Sequence, residues 1–237
     1  MARLHHIPGA QVLAALPVLP LPNVVLLPGM VLPLNVYEPR YLELVDFVRQ
    51  TGHHIGVPLQ RPADDDDPAP PLEPVLGLGR LVFHVALPDG RRIIRLEGVG
   101  RVRVHREWPR SRGFRELSVV PLGEPRPGDH EQLQELRAQV ERIAHRCGED
   151  NEALLSLLGL RDERMFLYSL TAFLPSLELL VRDAADDLAD ECVLVELQQR
   201  SLAAADADER ARFLLGRTRD IADRLAQQLE RHATLLN

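Results

Sequence analysis

The chain has no lysine; all 28 of its basic residues are arginine. That absence removes whole classes of chemistry. No phosphate-loop lysine, no Schiff base and no Ser–Lys dyad can be assembled. Cysteine is scarce too. Cys147 and Cys192 are the only two, too few for a disulfide framework or a cysteine-rich metal cluster. Both are expected as small apolar core residues in a reducing compartment. Charge is missing from one long stretch: between Leu4 and Tyr37 there is no Arg, Asp or Glu. A membrane helix needs about 20 apolar residues, so length alone would permit one there. Pro17, Pro20, Pro22, Pro28 and Pro33 interrupt it, and each proline inside a helix costs about 3 kcal/mol. No membrane span is expected. No small-x-small cleavage site follows the Val12–Leu16 run, so no signal peptide is expected and the cytoplasm is the expected location.

What is present is ordinary for a soluble globular chain: 45% hydrophobic residues, 27% charged and a net charge of −7. The negative balance argues against wholesale binding of polyanions. The proline-rich opening predicts short strands and turns. Val24–Leu27 is read as a strand, Pro28-Gly29 as a turn, and Met30–Val36 as a strand with Pro33 at an edge or bulge. Glu38-Pro39-Arg40 opens a helix with Tyr41, Leu44, Val45 and Val48 on one face. Gly52 is expected to end it in the left-handed conformation. Ile55–Leu59 is a further strand. Residues 61–74, RPADDDDPAPPLEP, read as a disordered acidic loop. Asp64–Asp67 lacks the alternating ligands and bend glycine of a calcium loop. Val75–Leu87 and Arg91–Leu96 are strands joined at Pro88-Asp89-Gly90, with a type I′ turn expected. Val99–His105 and Phe114–Val120 complete the set.

After residues 123–128 the period becomes helical. Leu133, Leu136, Val140 and Ile143 form a stripe behind an Asp129–Gln132 cap. Arg161–Phe173 is apolar on several sides, with Pro175 expected to break it. Ala185–Leu202 and Asp206–Leu236 follow, the last with a stripe of Leu214, Ile221, Leu225 and Leu229. The expected organisation is α+β: a tail over 1–15, an antiparallel β-barrel over 16–122, a linker over 123–128 and a helical bundle over 129–237.

The string LPLPNVVLLPGMVLPLNVYEPRY resembles the opening of the substrate-binding N-terminal domain of the Lon protease family. The matching positions are Asn23, Pro28, Gly29, Pro33, Glu38, Arg40 and Tyr41. GLGRLVFHVALPDGRRIIRLEGVGRVRV resembles that family's central segment through Gly77, Gly79, Leu87, Pro88, Asp89, Gly90, Arg91, Gly98 and Arg101. Late in the chain Gln199, Leu202, Asp206 and Arg210 fit its helical segment, while Ser201 and Ala203 depart from it. The resemblance implies a PUA-like barrel, then a helical bundle, and a polypeptide-binding role. The ATPase and Ser–Lys protease modules of a complete Lon protease have no counterpart in these residues. The resemblance therefore implies a stand-alone substrate-binding form that acts as an adaptor or recognition module in protein quality control.

Independent chemistry is not evident. His5-His6 and His53-His54 are neighbours that strand geometry would point to opposite faces. There is no G-x-S-x-G elbow. The acids at Asp183, Asp186, Asp187, Asp190 and Glu191 suit a helix start. No catalytic residue, metal ligand, cofactor or small-molecule substrate is expected. The expected partners are polypeptide clients and a full-length Lon protease. A client would lie on an apolar surface, for which Met30, Phe83 and Phe173 are candidates with core packing as their competing fate. Strand addition at an open sheet edge is a second route. The alternative is RNA. Nine arginines against two glutamates lie between Arg91 and Arg115, and Arg101, Arg103 and Trp108 would be the contacts on that basic ribbon. The competing account of Arg101 and Arg103 is a solvated strand face alternating with Val102 and Val104.

Overall fold

The computed structural model describes residues 13–52, 54–62, 69–147, 152–181 and 191–235. His5, His6, His53, the Asp64–Asp67 run and the acids from Asp183 to Asp190 lie outside the described residues. The chain divides into two compact units, Met1–Gly123 and Glu124–Asn237.

The first unit contains β1 (Leu13–Val18), β2 (Val31–Val36), α1 (Pro39–Thr51), β3 (His54–Val57), β4 (Val75–Ala86), β5 (Arg92–Glu107) and β6 (Arg115–Leu122). β1 begins at Leu13, inside the segment read as a tail. The strands form one mixed sheet in the order β2-β5-β4-β3-β1-β6, and β5 also pairs with β6. The ring β5-β4-β3-β1-β6 is therefore closed. β5 makes this possible by its length. Its first half pairs with β2, its second half with β6, and β4 runs along both. The ring is not wholly antiparallel as expected, because β1 and β3 are parallel. The chain between them passes through β2 and α1, the long crossover that a parallel pair requires.

Val24–Leu27, expected as a strand, is irregular, with Leu26 and Leu27 buried. Its backbone lies directly on the sheet. A Cβ built on Gly77 would collide with the Leu26 carbonyl oxygen, and one on Gly98 with that of Leu27. The Pro28-Gly29 turn is locked to the same place. Gly29 N–H donates to the Gly98 carbonyl at 2.7 Å, and Gly98 N–H donates to the Met30 carbonyl at 2.8 Å. Gly29 has φ 81°, a conformation that glycine adopts without strain. At the hairpin tip the type I′ expectation fails. Gly90 N–H donates to the Leu87 carbonyl at 3.1 Å, which puts Pro88 at the first central position, where its φ near −65° excludes the positive value of a type I′ turn. The chain instead makes a three-residue connection with Gly90 at φ 87°. Leu87 N–H donates to the Arg91 carbonyl at 2.8 Å across it. Gly52 is extended, at φ 168°, and not left-handed.

α1 begins with Pro39 in its first turn and buries Tyr41, Leu44, Val45 and Val48, as its spacing predicts. These residues pack with Val36, Ile55, Val57, Ile94, Leu96 and Phe114. A second cluster, including Leu16, Val18, Leu76, Val102 and Val119, fills the ring. Arg92 on β5 grips Asp46 on α1 through both carboxylate oxygens, one at 2.7 Å. The hydrogen bond from Arg92 holds the Asp46 carboxyl below its ordinary value of 3.8. A depressed folded-state pKa means stabilisation that is complete at neutral pH and lost as pH falls below about that value. Asp46→Asn should therefore reduce the difference in urea midpoint between pH 7 and pH 3. The effect is less than about 1 kcal/mol, because Asp46 is half-exposed.

The segment 61–74 is tied at its ends. Arg61 N–H donates to the Pro71 carbonyl at 2.8 Å and the Arg61 side chain reaches Glu73 at 2.9 Å.

The second unit contains α2 (His130–Arg146), α3 (Glu152–Leu158), α4 (Glu163–Leu180), α5 (Glu191–Ala203) and α6 (Ala207–Leu235). Asp129 accepts from Gln132 N–H at 2.9 Å, as the capping pattern predicts. Asp162 caps α4 in the same way. Leu133, Leu136, Phe166, Leu170, Leu177, Leu214 and Ile221 share one core. Pro175 does not break α4 as expected; the helix continues to Leu180. Burial of Leu174 and Leu177 outweighs the lost hydrogen bond. The Gln198 side chain donates to the Ala172 carbonyl in the turn that the proline loosens. Leu229, expected in the final stripe, is 47% exposed.

Candidate functional site

The first half of β5 is the middle of a three-stranded patch, with β2 on one side and the second half of β4 on the other. Ile94 and Leu96 point inward and are buried. The alternate residues Ile93, Arg95 and Glu97 point outward, because successive side chains on a strand take opposite faces. The registers place their neighbours. Val31, Glu97 and Arg80 form one row, Pro33, Arg95 and Phe83 the next, and Asn35, Ile93 and Val85 the third. A register shift between Leu81 and Phe83 makes Val82 an extra residue, exposed beside Phe83. Val31, Val82, Phe83 and Val85 are all more than 40% exposed, as is Tyr37 just after β2. These apolar residues share one exposed face, with Arg80, Asn35, Arg95 and Glu97 interspersed among them.

Charges on the face are mostly paired within it. Arg80 bonds Glu97 across the strands. Arg95 lies over the Phe83 ring, 5.0 Å from its centroid.

β2 is an edge strand, pairing only with β5 among the described residues. The bond from Gly98 to the Met30 carbonyl fixes which groups point where. Residues 30, 32, 34 and 36 direct their backbone groups at β5, and 31, 33 and 35 direct theirs to the open side. Pro33 falls among the latter, so the donor it lacks is missing from the free edge. The edge is blunted, and strand addition, expected as a second route, is disfavoured there.

The candidate residues fare differently. Phe83 is central to the face, and Met30, half-buried, sits at its β2 end. Phe173 belongs to the other unit and packs half-buried against the helical core. The basic ribbon is not one surface. Arg101, expected to face solvent, is 1% exposed. Arg91 pairs with Asp89, Arg92 with Asp46, and Arg115 with Glu107. Arg103 is exposed. Trp108 is half-buried; its indole donates to the Ala14 carbonyl at 2.6 Å while Arg106 stacks on its ring.

The family-pattern residues sit mostly in turns and at the start of α1. Asn23 is an exposed bend. Pro28, Gly29 and Gly98 form the turn that pins Leu26 and Leu27. Glu38 precedes α1 and pairs with Arg40, which stacks on Tyr41. Pro88, Asp89 and Gly90 make the hairpin tip. Among the described residues, no group of three or more His, Cys, Asp or Glu is placed to hold a metal ion. No helix there is long and apolar enough to cross a membrane.

Sequence reasoning missed Val31, Val82, Val85, Ile93 and Arg95. The available signal was apolar residues at successive positions, Val31-Leu32 and Val82-Phe83 and Ile93-Ile94. A strand with one solvated face should alternate.

The family model for the ATP-dependent protease La (LON) substrate-binding domain matches residues 15–215. The chain belongs to the Lon substrate-binding domain family. Its curated relatives include the Lon protease of Desulfovibrio desulfuricans, 32% identical over 148 residues, which cover 61% of this chain and 16% of that protein. Lon protease 2 of Sorangium cellulosum is 31% identical over 163 residues, 68% of this chain and 18% of that one. The chain thus spans less than a fifth of the length of these relatives. Among solved structures, the N-terminal domain of the Mycobacterium avium complex Lon protease superposes with a TM-score of 0.60 at 16% identity. That match covers 87% of this chain and 98% of that one, and it shows the Lon N-terminal domain fold.

Proposed function

We propose that this chain is a non-catalytic recognition module that binds exposed apolar segments of client polypeptides on the outer face of β2, β5 and β4. Its setting would be cytoplasmic protein quality control, in company with a Lon protease, as an adaptor or as a substrate-recognition element. The observation that carries the reading is the cluster of exposed apolar residues around Phe83, in a chain that belongs to a substrate-binding domain family. Monomeric surfaces rarely expose apolar residues in such a cluster unless something docks there. The same face speaks against nucleic acid as the main ligand. Phosphate binding needs uncommitted cations on one surface, and most of the Arg91–Arg115 arginines with a described side-chain contact are turned to acids or aromatic rings within the unit.

An unfolded model protein should be retained on a column of the immobilised chain at moderate salt, with weak salt dependence. Phe83→Asp combined with Val85→Asp should cut retention by on the order of tenfold or more, since two apolar contacts of about 1.5 kcal/mol or more each are lost. Retention no better than that of an unrelated control protein overturns the proposal. Retention that collapses steeply with salt would point to the nucleic-acid type of surface instead.

A further inference from the structure

We propose that Arg95 is a selectivity residue: among apolar client segments, the face prefers those with a carboxylate beside the apolar anchor. The inference rests on the reading of the face given above. Arg95 occupies the middle position of the three rows, between Pro33 and Phe83. It is exposed, and its one described partner is the Phe83 ring. The acids nearby are already engaged. Glu97 is held by Arg80, Asp89 by Arg91 and Asp46 by Arg92. The guanidinium therefore lies over an aromatic ring, between Pro33 and Phe83 and one row from the Arg80–Glu97 pair, with no carboxylate partner of its own among the described residues.

Stacking of this kind uses the flat face of a guanidinium and leaves its in-plane N–H donors free. A client that covers Phe83, Val82 and Val85 also removes water from Arg95. A cation that loses its hydration without an acceptor is costly. A carboxylate carried by the client supplies the acceptor, in the bidentate geometry that guanidinium favours. A client Arg or Lys at the same place buries two cations side by side. The spacing follows from strand geometry. In an extended segment, residues i and i+2 share a face and lie about 6.6 Å apart. An apolar side chain on Phe83 thus places a carboxylate two residues away within reach of the long Arg95 side chain.

Fluorescence anisotropy with three labelled peptides tests this. Each carries the same Phe and Leu anchors, with Asp, Asn or Arg two residues from the Phe. The wild-type chain should bind the Asp peptide on the order of tenfold more tightly than the Arg peptide. The gap should narrow as salt rises. Arg95→Glu should reverse the order and Arg95→Gln should abolish it. Arg95 is exposed, so both variants should keep the wild-type circular dichroism spectrum and unfolding midpoint. Equal affinity for the three peptides, or an Asp preference that survives Arg95→Glu, overturns the selectivity and leaves the face as a polypeptide site. Failure of all three peptides to bind overturns both.

Discussion

Gly77→Ala should strongly destabilise the first unit. The new methyl group would occupy the position of the Leu26 carbonyl oxygen, which is backbone and cannot rotate away. The 24–27 segment must lift off the sheet to make room. That exposes Leu26 and Leu27, each now at most 2% exposed, and burial of a leucine is worth about 1.5–3 kcal/mol. It also pulls on the Gly29–Gly98 and Gly98–Met30 hydrogen bonds that anchor the turn. The expected loss is roughly 3–6 kcal/mol, a large share of the ~5–15 kcal/mol that a domain has. Urea unfolding followed by circular dichroism, together with proteolysis of the 24–30 region, measures it. Gly123→Ala is the control, since nothing lies within 4 Å of its Cβ position. A wild-type midpoint for Gly77→Ala would show that the 24–27 segment yields freely.

Glu124→Ala should destabilise the helical unit by about 3–5 kcal/mol, the usual cost of stranding one member of a buried ion pair. Arg210 is fully buried, stacks on Tyr168 at 4.3 Å, and reaches Glu124 at 3.3 Å. Glu124 is 11% exposed and also accepts from the Tyr168 hydroxyl. Its backbone carbonyl takes a further bond from Arg164 at 3.2 Å. The truncation therefore takes the carboxylate away from a buried guanidinium, which keeps only neutral contacts such as its 2.9 Å bond to the Ser201 carbonyl, and removes the acceptor that Glu124 offers the Tyr168 hydroxyl. If the cost comes from the unpaired charge, Arg210→Met in the Glu124→Ala background should recover part of the loss. Guanidinium denaturation curves of the two variants decide this. An equal or larger loss in the double variant would assign the cost to packing.

The contrast between these two sites explains what could be read in advance. Gly77 and Gly98 stood out as family-pattern positions, but their reason is a close approach between backbone at residues 26–27 and the sheet. No local pattern announces such a contact. The same contact explains why Val24–Leu27 is not a strand despite its β-branched composition: its backbone is used in lying across the sheet. α1 was legible because one helical face carries all its buried residues and Pro39 marks its start. The Asp129 cap was legible because it is local. Pro175 misled because proline's cost is a local quantity, whereas the burial of Leu174 and Leu177 that offsets it is not. Arg101 misled for a related reason. Strand alternation predicts which side a residue faces, but not whether that side is covered. The apolar face was half legible. Phe83 and Met30 were marked by type, while Arg95 and Val85 became neighbours of Phe83 only through cross-strand register.

The proline on β2 has a consequence for any chain that docks on the proposed face. Unfolded segments rich in apolar residues readily stack edge to edge, and an open strand can act as the first rung of such a ladder. With no donor at position 33, that rung is broken at its centre. A segment lying on the neighbouring face would be held by its side chains while its own backbone stayed unzipped. Such a hold lets go without peeling apart a sheet, and it offers growing fibrils no template.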